Sequence, residues 1–199
     1  MHRHRQEGLT LIELLIVLAI LGMIVSVGVP QFLTFQRRNA VRNAAAELRA
    51  IFNNTRMRAI ARGRNSGVKF IKNADGTWAY ALYDDGDGDG VRNDDITSGV
   101  DRCIQQPRRV LQSLERRAFV GLPPYKLVDP DGDPLPPTKS PVNFNNSTIC
   151  SFSPIGESTP GTIYVTDSIE DVYAIRVYGT SGRVRVLRWK GAKAKWVLQ

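Results

Sequence analysis

The stretch Gly8-Leu9-Thr10-Leu11-Ile12-Glu13-Leu14-Leu15-Ile16-Val17 opens an apolar run that continues to Val29, and its reading decides how the rest of the chain is arranged. Residues 9–29 are 21 in number and contain a single charge, Glu13. A helix needs about 20 apolar residues to cross a bilayer core, so the run is long enough for one crossing. Ahead of it, residues 1–8 are polar and basic through His2, Arg3, His4 and Arg5. That bias holds the short end in the cytoplasm, which predicts that the C-terminal bulk lies across the membrane. A carboxylate five residues into the span costs on the order of 2.5–3.5 kcal/mol on insertion scales, so a compensating partner is expected. If the chain is cut after Gly8, the new α-amine at Leu9 of a neighbouring copy supplies one. A single charge pair per subunit then sets the axial stagger of a filament.

These residues resemble the processing site of type IV prepilins and type II secretion pseudopilins. The resemblance implies that a prepilin peptidase cuts after Gly8 and methylates the new N-terminus at Leu9. It also implies that Gly22 and Pro30 fall where the family's long helix is loosened or kinked in assembled filaments. Leu9 departs from the usual phenylalanine or methionine, a conservative change. The competing reading is an ordinary secretory signal peptide cut after Gly28, since Ser26 and Gly28 are small enough for such a site. Glu13 interrupts the apolar region that such a peptide needs, and Pro30 would stand two residues past the cut.

The chain's 199 residues allow one domain plus an anchor. The expected organisation is a leader over 1–8, a membrane or filament-core helix over 9–29, an amphipathic helix over 30–62 and a periplasmic β-rich head over 63–199. Loss of the leader takes away two arginines and one glutamate, which lowers the formal net charge from +8 to +7. Both histidines, His2 and His4, are in the leader. A mature chain without histidine lacks the commonest general base and metal ligand near neutral pH. Catalysis by Ser-His or Cys-His pairs is thereby excluded, no nucleotide, zinc-protease or hydrolase motif is present, and the expectation is that this is not an enzyme. Two cysteines, Cys103 and Cys150, remain. An oxidising compartment favours one disulfide between them, closing a 47-residue loop worth about 3–4 kcal/mol. The alternative is two separate thiols.

Beyond Pro30 apolar residues recur at Val41, Ala44, Ala45, Leu48, Ile51, Phe52, Thr55 and Ala59, the spacing of a helix with one buried face. One long helix is expected from about Thr10 to Arg62, kinked near Pro30 and stopped at Gly63. From Ser66 the period falls to two. Residues 68–71 and 77–83 read as a strand pair about the turn Asn73-Ala74-Asp75-Gly76. Further strands are expected at 117–120, 142–144, 147–151, 162–166, 171–178, 183–189 and 194–198. Residues 122–141, with seven prolines, read as an ordered excursion. The fold class is α+β, a long N-terminal helix packed on an antiparallel sheet or sandwich.

Residues 84–95, Asp-Asp-Gly-Asp-Gly-Asp-Gly-Val-Arg-Asn-Asp-Asp, form the densest acidic cluster in a basic chain. Alternating oxygen ligands followed by a turn glycine are what calcium coordination requires. Set on the EF-hand template, Asp85, Asp87 and Asp89 take the first three positions and Gly90 the glycine, with the Val91 carbonyl and Asn93 following. Ile96 then occupies the slot of the bidentate glutamate, and Asp95 falls one residue short. A structural calcium ion is expected here; the alternative is a solvated acidic loop.

After Asp171 no acidic residue follows, while Arg176, Arg183, Arg185, Arg188, Lys190, Lys193 and Lys195 do. Trp189 and Trp196 are interleaved with them, so the end reads either as a surface for phosphates and bases, through Arg183, Arg185, Arg188 and Lys190, or as a solvated sheet face. The sequence Phe152-Ser153-Pro154-Ile155-Gly156, residues 162–165 and 174–177, and Gly182-Arg183-Val184-Arg185 are similar to the C-terminal half of GspH/FimT-type minor pseudopilins and minor pilins. That resemblance implies an inner-membrane subunit partnered through its N-terminal helix with other pilins or pseudopilins, acting in filament assembly, at the tip or in secretion of cargo. The alternative it carries is a DNA-binding minor pilin for natural transformation.

Overall fold

The computed structural model describes residues 11–110, 117–191 and 195–199. Gly8, Leu9, Thr10 and the expected leader lie outside the described residues, as do Lys193 and Ala194. The chain divides into two compact units, one ending at Arg37 and one running from Arg38 to Gln199. The helix α1, Leu11–Arg62, contributes to both and passes through Pro30 without interruption.

In the first unit the apolar side chains of α1 are exposed along its length, from Leu11 to Leu33. The pattern is apolar on every side, as expected of a helix whose surroundings are not water. Hydroxyls in this part fold back onto the helix. Ser26 Oγ donates to the Met23 carbonyl at 2.8 Å and Thr34 Oγ1 to the Pro30 carbonyl at 3.0 Å, so these polar groups are satisfied internally.

In the second unit α1 buries one face, Ala40, Val41, Ala44, Ala45, Leu48, Ile51, Phe52, Thr55 and Ala59. This is the set that the i, i+3, i+4 spacing predicts, with Ala40 added. Buried Thr55 donates to the Ile51 carbonyl at 2.8 Å. Gly63, with φ of 62°, ends the helix in the left-handed conformation that glycine adopts without steric cost.

The strands are β1 (Ser66–Lys72), β2 (Trp78–Asp84), β3 (Arg102–Arg109), β4 (Phe119–Val120), β5 (Leu127–Val128) and β6 (Pro134–Leu135). They continue with β7 (Val142–Phe144), β8 (Ile149–Phe152), β9 (Gly161–Thr166), β10 (Val172–Val177), β11 (Val184–Lys190) and β12 (Lys195–Leu198). A short helix α2, Asn93–Ser98, lies between β2 and β3. All pairing is antiparallel. The first sheet has the order β3-β2-β1-β8, and the second β12-β11-β10-β9-β4 with β7 also on β9. The α+β reading of the sequence holds.

Both sheets meet the helix at Phe52. Its ring centroid lies 5.8 Å from Phe70 on β1, 5.6 Å from Phe144 on β7 and 6.4 Å from Phe152 on β8. Around this cluster the inward residues of β10 and β11, Ile175, Val177, Val184 and Val186, complete the main core. A smaller core lies on the opposite face of the second sheet. There Leu127 and Leu135 of the proline-rich excursion pack with Tyr164, Val172, Ala174 and Trp189. The excursion is therefore a cover for that face, pinned by Trp196 Nε1 donating to the Val128 carbonyl at 2.8 Å.

The strand β3 and the two cysteines depart from the sequence reading. The strand β3 is exposed at nearly every position, so its sequence Arg-Cys-Ile-Gln-Gln-Pro-Arg-Arg carries no alternation to detect. It is held by backbone pairing to β2, with register shifts on either side of Leu82. The expected disulfide is also corrected. Cys103 is an exposed free thiol on β3 and Cys150 a buried free thiol on β8, at opposite edges of a four-stranded sheet. Three strand spacings separate them, about 14 Å, against the roughly 7 Å limit between Cα atoms that a disulfide tolerates.

Candidate functional site

Three places in the chain carry chemistry that packing alone does not demand. They are the start of α1, the acidic loop after β2 and the basic end. Glu13 sits in the first turn of α1, where the positive end of the helix dipole favours a carboxylate. Gly22 has open space where a side chain would stand. Pro30 has no N–H, so the helix loses one backbone hydrogen bond there while remaining helical. By length and composition α1 is able to cross a membrane.

The acidic loop is anchored by the residue before it. Asp84, at the end of β2, receives Arg58 Nε at 2.9 Å and Nη2 at 2.7 Å from α1, and Ser66 Oγ at 2.7 Å from β1. The Arg58 hydrogen bonds hold its carboxyl below the ordinary range; burial opposes this, and Ser66 adds to the lowering. Asp85 then turns inward and becomes the hub of the loop. Its Oδ1 accepts from the N–H groups of Asp87 at 3.0 Å and Gly88 at 2.8 Å, and its Oδ2 from Gly90 N–H at 2.8 Å and Asn65 Nδ2 at 2.5 Å. Burial alone would raise the Asp85 carboxyl, but Asn65 and these amides outweigh it and lower the value. Gly88 and Gly90, with φ of 100° and 98°, make the left-handed turns the wrapping requires.

One carboxylate oxygen from each of Asp85, Asp87 and Asp89 lies within 4.8 Å of the others. Oxygens bound at about 2.3–2.6 Å to one calcium ion span distances of this order. Asp87 and Asp89 are exposed, and Arg92 forms an ion pair with Asp89. Desolvation, and beyond it the charge of Asp87, raise the carboxyls of Asp89 and Asp95 despite Arg92. Asp95 stands outside the close trio, in the first turn of α2, close enough to Asp87 to feel its charge. Val91 is buried, its N–H donating to Ser151 Oγ at 3.1 Å, and Asn93 is exposed at the start of α2. The sequence template passes over two residues that shape the loop. Asp101 receives Gly86 N–H at 3.1 Å and Arg92 N–H at 2.9 Å, closing it from behind, and Asn65, in the link between α1 and β1, donates to Asp85. Neither falls inside the twelve-residue window.

The four basic residues of the C-terminal end divide between two faces. Arg185 is opposite Arg176 on β10, and both guanidiniums lie near the Tyr178 ring, at 5.5 Å and 5.4 Å. Arg183 and Arg185 are exposed. Arg188 is opposite Tyr173 and on the other face, where it donates to Asp171 at 2.7 Å. Lys190 follows Arg188 in parity. Trp189 is buried in the smaller core, in edge contact with Trp196 at 5.3 Å, so neither ring forms an open stacking platform.

Residues 3–29 match the family described as the prokaryotic N-terminal methylation motif. Over 48 residues the chain is 42% identical to the type IV major pilin protein PilA of Myxococcus xanthus strain DK1622. That similarity covers 24% of this chain and 22% of the relative, so it spans about a fifth of the relative's length. No solved structure matches.

The anchor of the acidic loop has a pH signature. A carboxyl held low in the folded chain, as Asp84 is, contributes stability that is full above the unfolded carboxylate range near pH 4 and is lost as pH falls through the lower folded value. Asp84→Asn is expected to lower stability at pH 7 by about 1.5–3 kcal/mol and to flatten the acid limb of the stability curve. Thermal melts followed by circular dichroism from pH 7 to pH 2 check this; a variant with the wild-type acid limb contradicts it.

Proposed function

We propose that this chain, whose residues 3–29 match the prokaryotic N-terminal methylation motif, is a minor subunit of a type II secretion pseudopilus or a type IV pilus, acting in filament assembly or at the tip. The observation that carries the reading is the apolar first part of α1, with its one carboxylate at Glu13, inside the segment that matches the N-terminal methylation motif. Prepilin peptidase cuts after Gly8 and methylates Leu9. The helix first spans the bacterial inner membrane with the head in the periplasm, then enters the filament core beside other pilins or pseudopilins. There Glu13 recognises the N-terminal amine of a neighbour. The role is structural, through binding and not catalysis. Intact mass of the chain recovered from membranes is expected to show loss of residues 1–8 and gain of one methyl group. Glu13→Ala is expected to leave the membrane-bound pool unchanged and reduce filament-incorporated protein at least several-fold; unchanged recovery in sheared filaments counts against the role.

We further propose that the acidic loop holds a structural calcium ion, with Asp85, Asp87 and Asp89 as carboxylate ligands and the Val91 carbonyl, Asn93 and Asp95 completing the set. Support comes from the close trio of oxygens and from the raised carboxyls of Asp89 and Asp95, whose ionisation a cation would favour. Calcium at a hundred times its Kd is expected to add about 2.7 kcal/mol of stability. Asp87→Asn/Asp89→Asn, which spares the Asp85 hub, should abolish that gain without lowering stability in chelator. A calcium-independent melting temperature in the wild type sinks the assignment.

DNA uptake is the second reading, favoured by the exposure of Arg183 and Arg185. The pairing of Arg188 with Asp171 and the burial of Trp189 weaken it. Duplex DNA binding by the detergent-solubilised chain that falls with salt and is lost in Arg183→Ala/Arg185→Ala would move the assignment to this function.

A further inference from the structure

A cleft of about 250 Å³ opens on the outer side of the second sheet, between the proline-rich excursion and the turn after β7. Its existence depends on Gly161. A Cβ at that position would lie 2.3 Å from the Asn143 carbonyl and 2.5 Å from Phe144 Cα, so only glycine lets β7 come close enough to pair with the start of β9. The turn that follows uses Asn145 and Asn146, with φ of 48° and 62°, and Asn143 Oδ1 locks it by accepting the Asn146 N–H at 2.9 Å. The turn places three asparagines, Asn143, Asn145 and Asn146, along one wall.

The opposite wall is fixed as firmly. Asp129 Oδ1 accepts the N–H groups of Asp131 and Asp133, both at 2.9 Å, and Asp131 pairs with Arg176 at 2.6 Å. Thr162 and Tyr164 form the floor. The formal charges of the lining cancel, with Asp129 and Asp131 against Lys139 and Arg176. Anions meet the two aspartates and cations the arginine and lysine, while the polar lining gives an apolar ligand little to bury against. Carboxamides offer a donor and an acceptor side by side, the arrangement that pairs with adjacent hydroxyl groups.

We propose that this cleft binds a neutral, polyhydroxylated ligand, one or two sugar rings of a glycan. The volume is below the roughly 300–1,000 Å³ of drug-sized sites, which limits the occupant to a short stretch of chain. The backbone of both walls is held before binding, so ordering on binding is confined to side chains. The site is separate from the α1 surface that the filament role uses, and it stands whether or not the chain enters a filament.

The test uses the full chain in a zwitterionic, sugar-free detergent, with saturation-transfer difference NMR and titration of two probes, the tetramer of N-acetylglucosamine and the tetramer of glucose. Binding of either supports the proposal, and the stronger of the two tells whether an N-acetylated amino-sugar glycan or a plain glucan is the source. Asn145→Gly/Asn146→Gly removes two carboxamides while keeping a residue suited to positive φ, and a tenfold or greater loss of affinity with an unchanged melting temperature is expected. If that variant melts lower, the exposed Lys139→Ala replaces it, with a smaller loss in the same direction. No signal from either tetramer, equal binding by a stably folded variant, or binding that collapses as salt is raised overturns the proposal.

Discussion

The head depends on one aromatic contact. Phe52 projects from α1 into a nest made by Phe70, Phe144 and Phe152, and those three rings belong to β1, β7 and β8. Because β1 and β8 lie in the first sheet and β7 pairs into the second, one side chain from the helix closes the seam between two sheets. The buried face of α1 shares one core with both sheets, and a small antiparallel sheet needs such a cover to be stable in water. Emptying a site of this kind costs about 3–5 kcal/mol, a large part of the total stability of a domain. The short β7 is only three residues long, yet it carries Phe144 into this nest, and Gly161 is what lets it approach β9.

How much of this was legible follows from which faces are covered. The buried face of α1 in the head reads directly from the 3.6-residue period, because one side packs and the other does not. The hairpin of β1 and β2 and the short β7 read from alternation and a turn for the same reason. The strand β3 has no covered face, so its residues were free to be arginine, glutamine and proline, and nothing in them signals pairing. The proline-rich excursion is ordered by a second, small core whose members come from residues 122 to 196, and no local pattern announces contacts that distant. Pairing of Cys103 with Cys150 follows from compartment alone. Strand order, which a single sequence does not display, decides against it.

The charged groups show a related limit. Spacing identified Asp85, Asp87 and Asp89 as a set, and the structure does bring them together. It also gives them unequal tasks. Asp85 is buried and accepts four hydrogen bonds that shape the loop, whereas Asp87 and Asp89 are exposed. The closing carboxylate is Asp101, which binds backbone amides at both ends of the loop and lies outside the template. At the C-terminal end, parity alone separates Arg183 and Arg185 from Arg188 and Lys190. A patch counted along the sequence thus becomes two surfaces, one open and one tied to Asp171.

The helix α1 changes character along its length. From Leu11 to Val29 the helix is apolar on every side apart from Glu13, whereas from Arg38 it is apolar on one face and charged on the others. A helix of the first kind gains nearly as much from lipid as from the apolar flanks of neighbouring helices, since there is little hydrophobic difference between the two environments. Moving it from a bilayer to a bundle therefore needs no large apolar driving force, and apolar contacts alone fix neither its depth nor its register. Whatever sets register must be polar, and between Leu11 and Val29 the one ionisable side chain is Glu13. In surroundings of low dielectric a charge pair made there is strong and tightly dependent on distance, so a single carboxylate is enough to select one axial position among many that the apolar surface would accept equally.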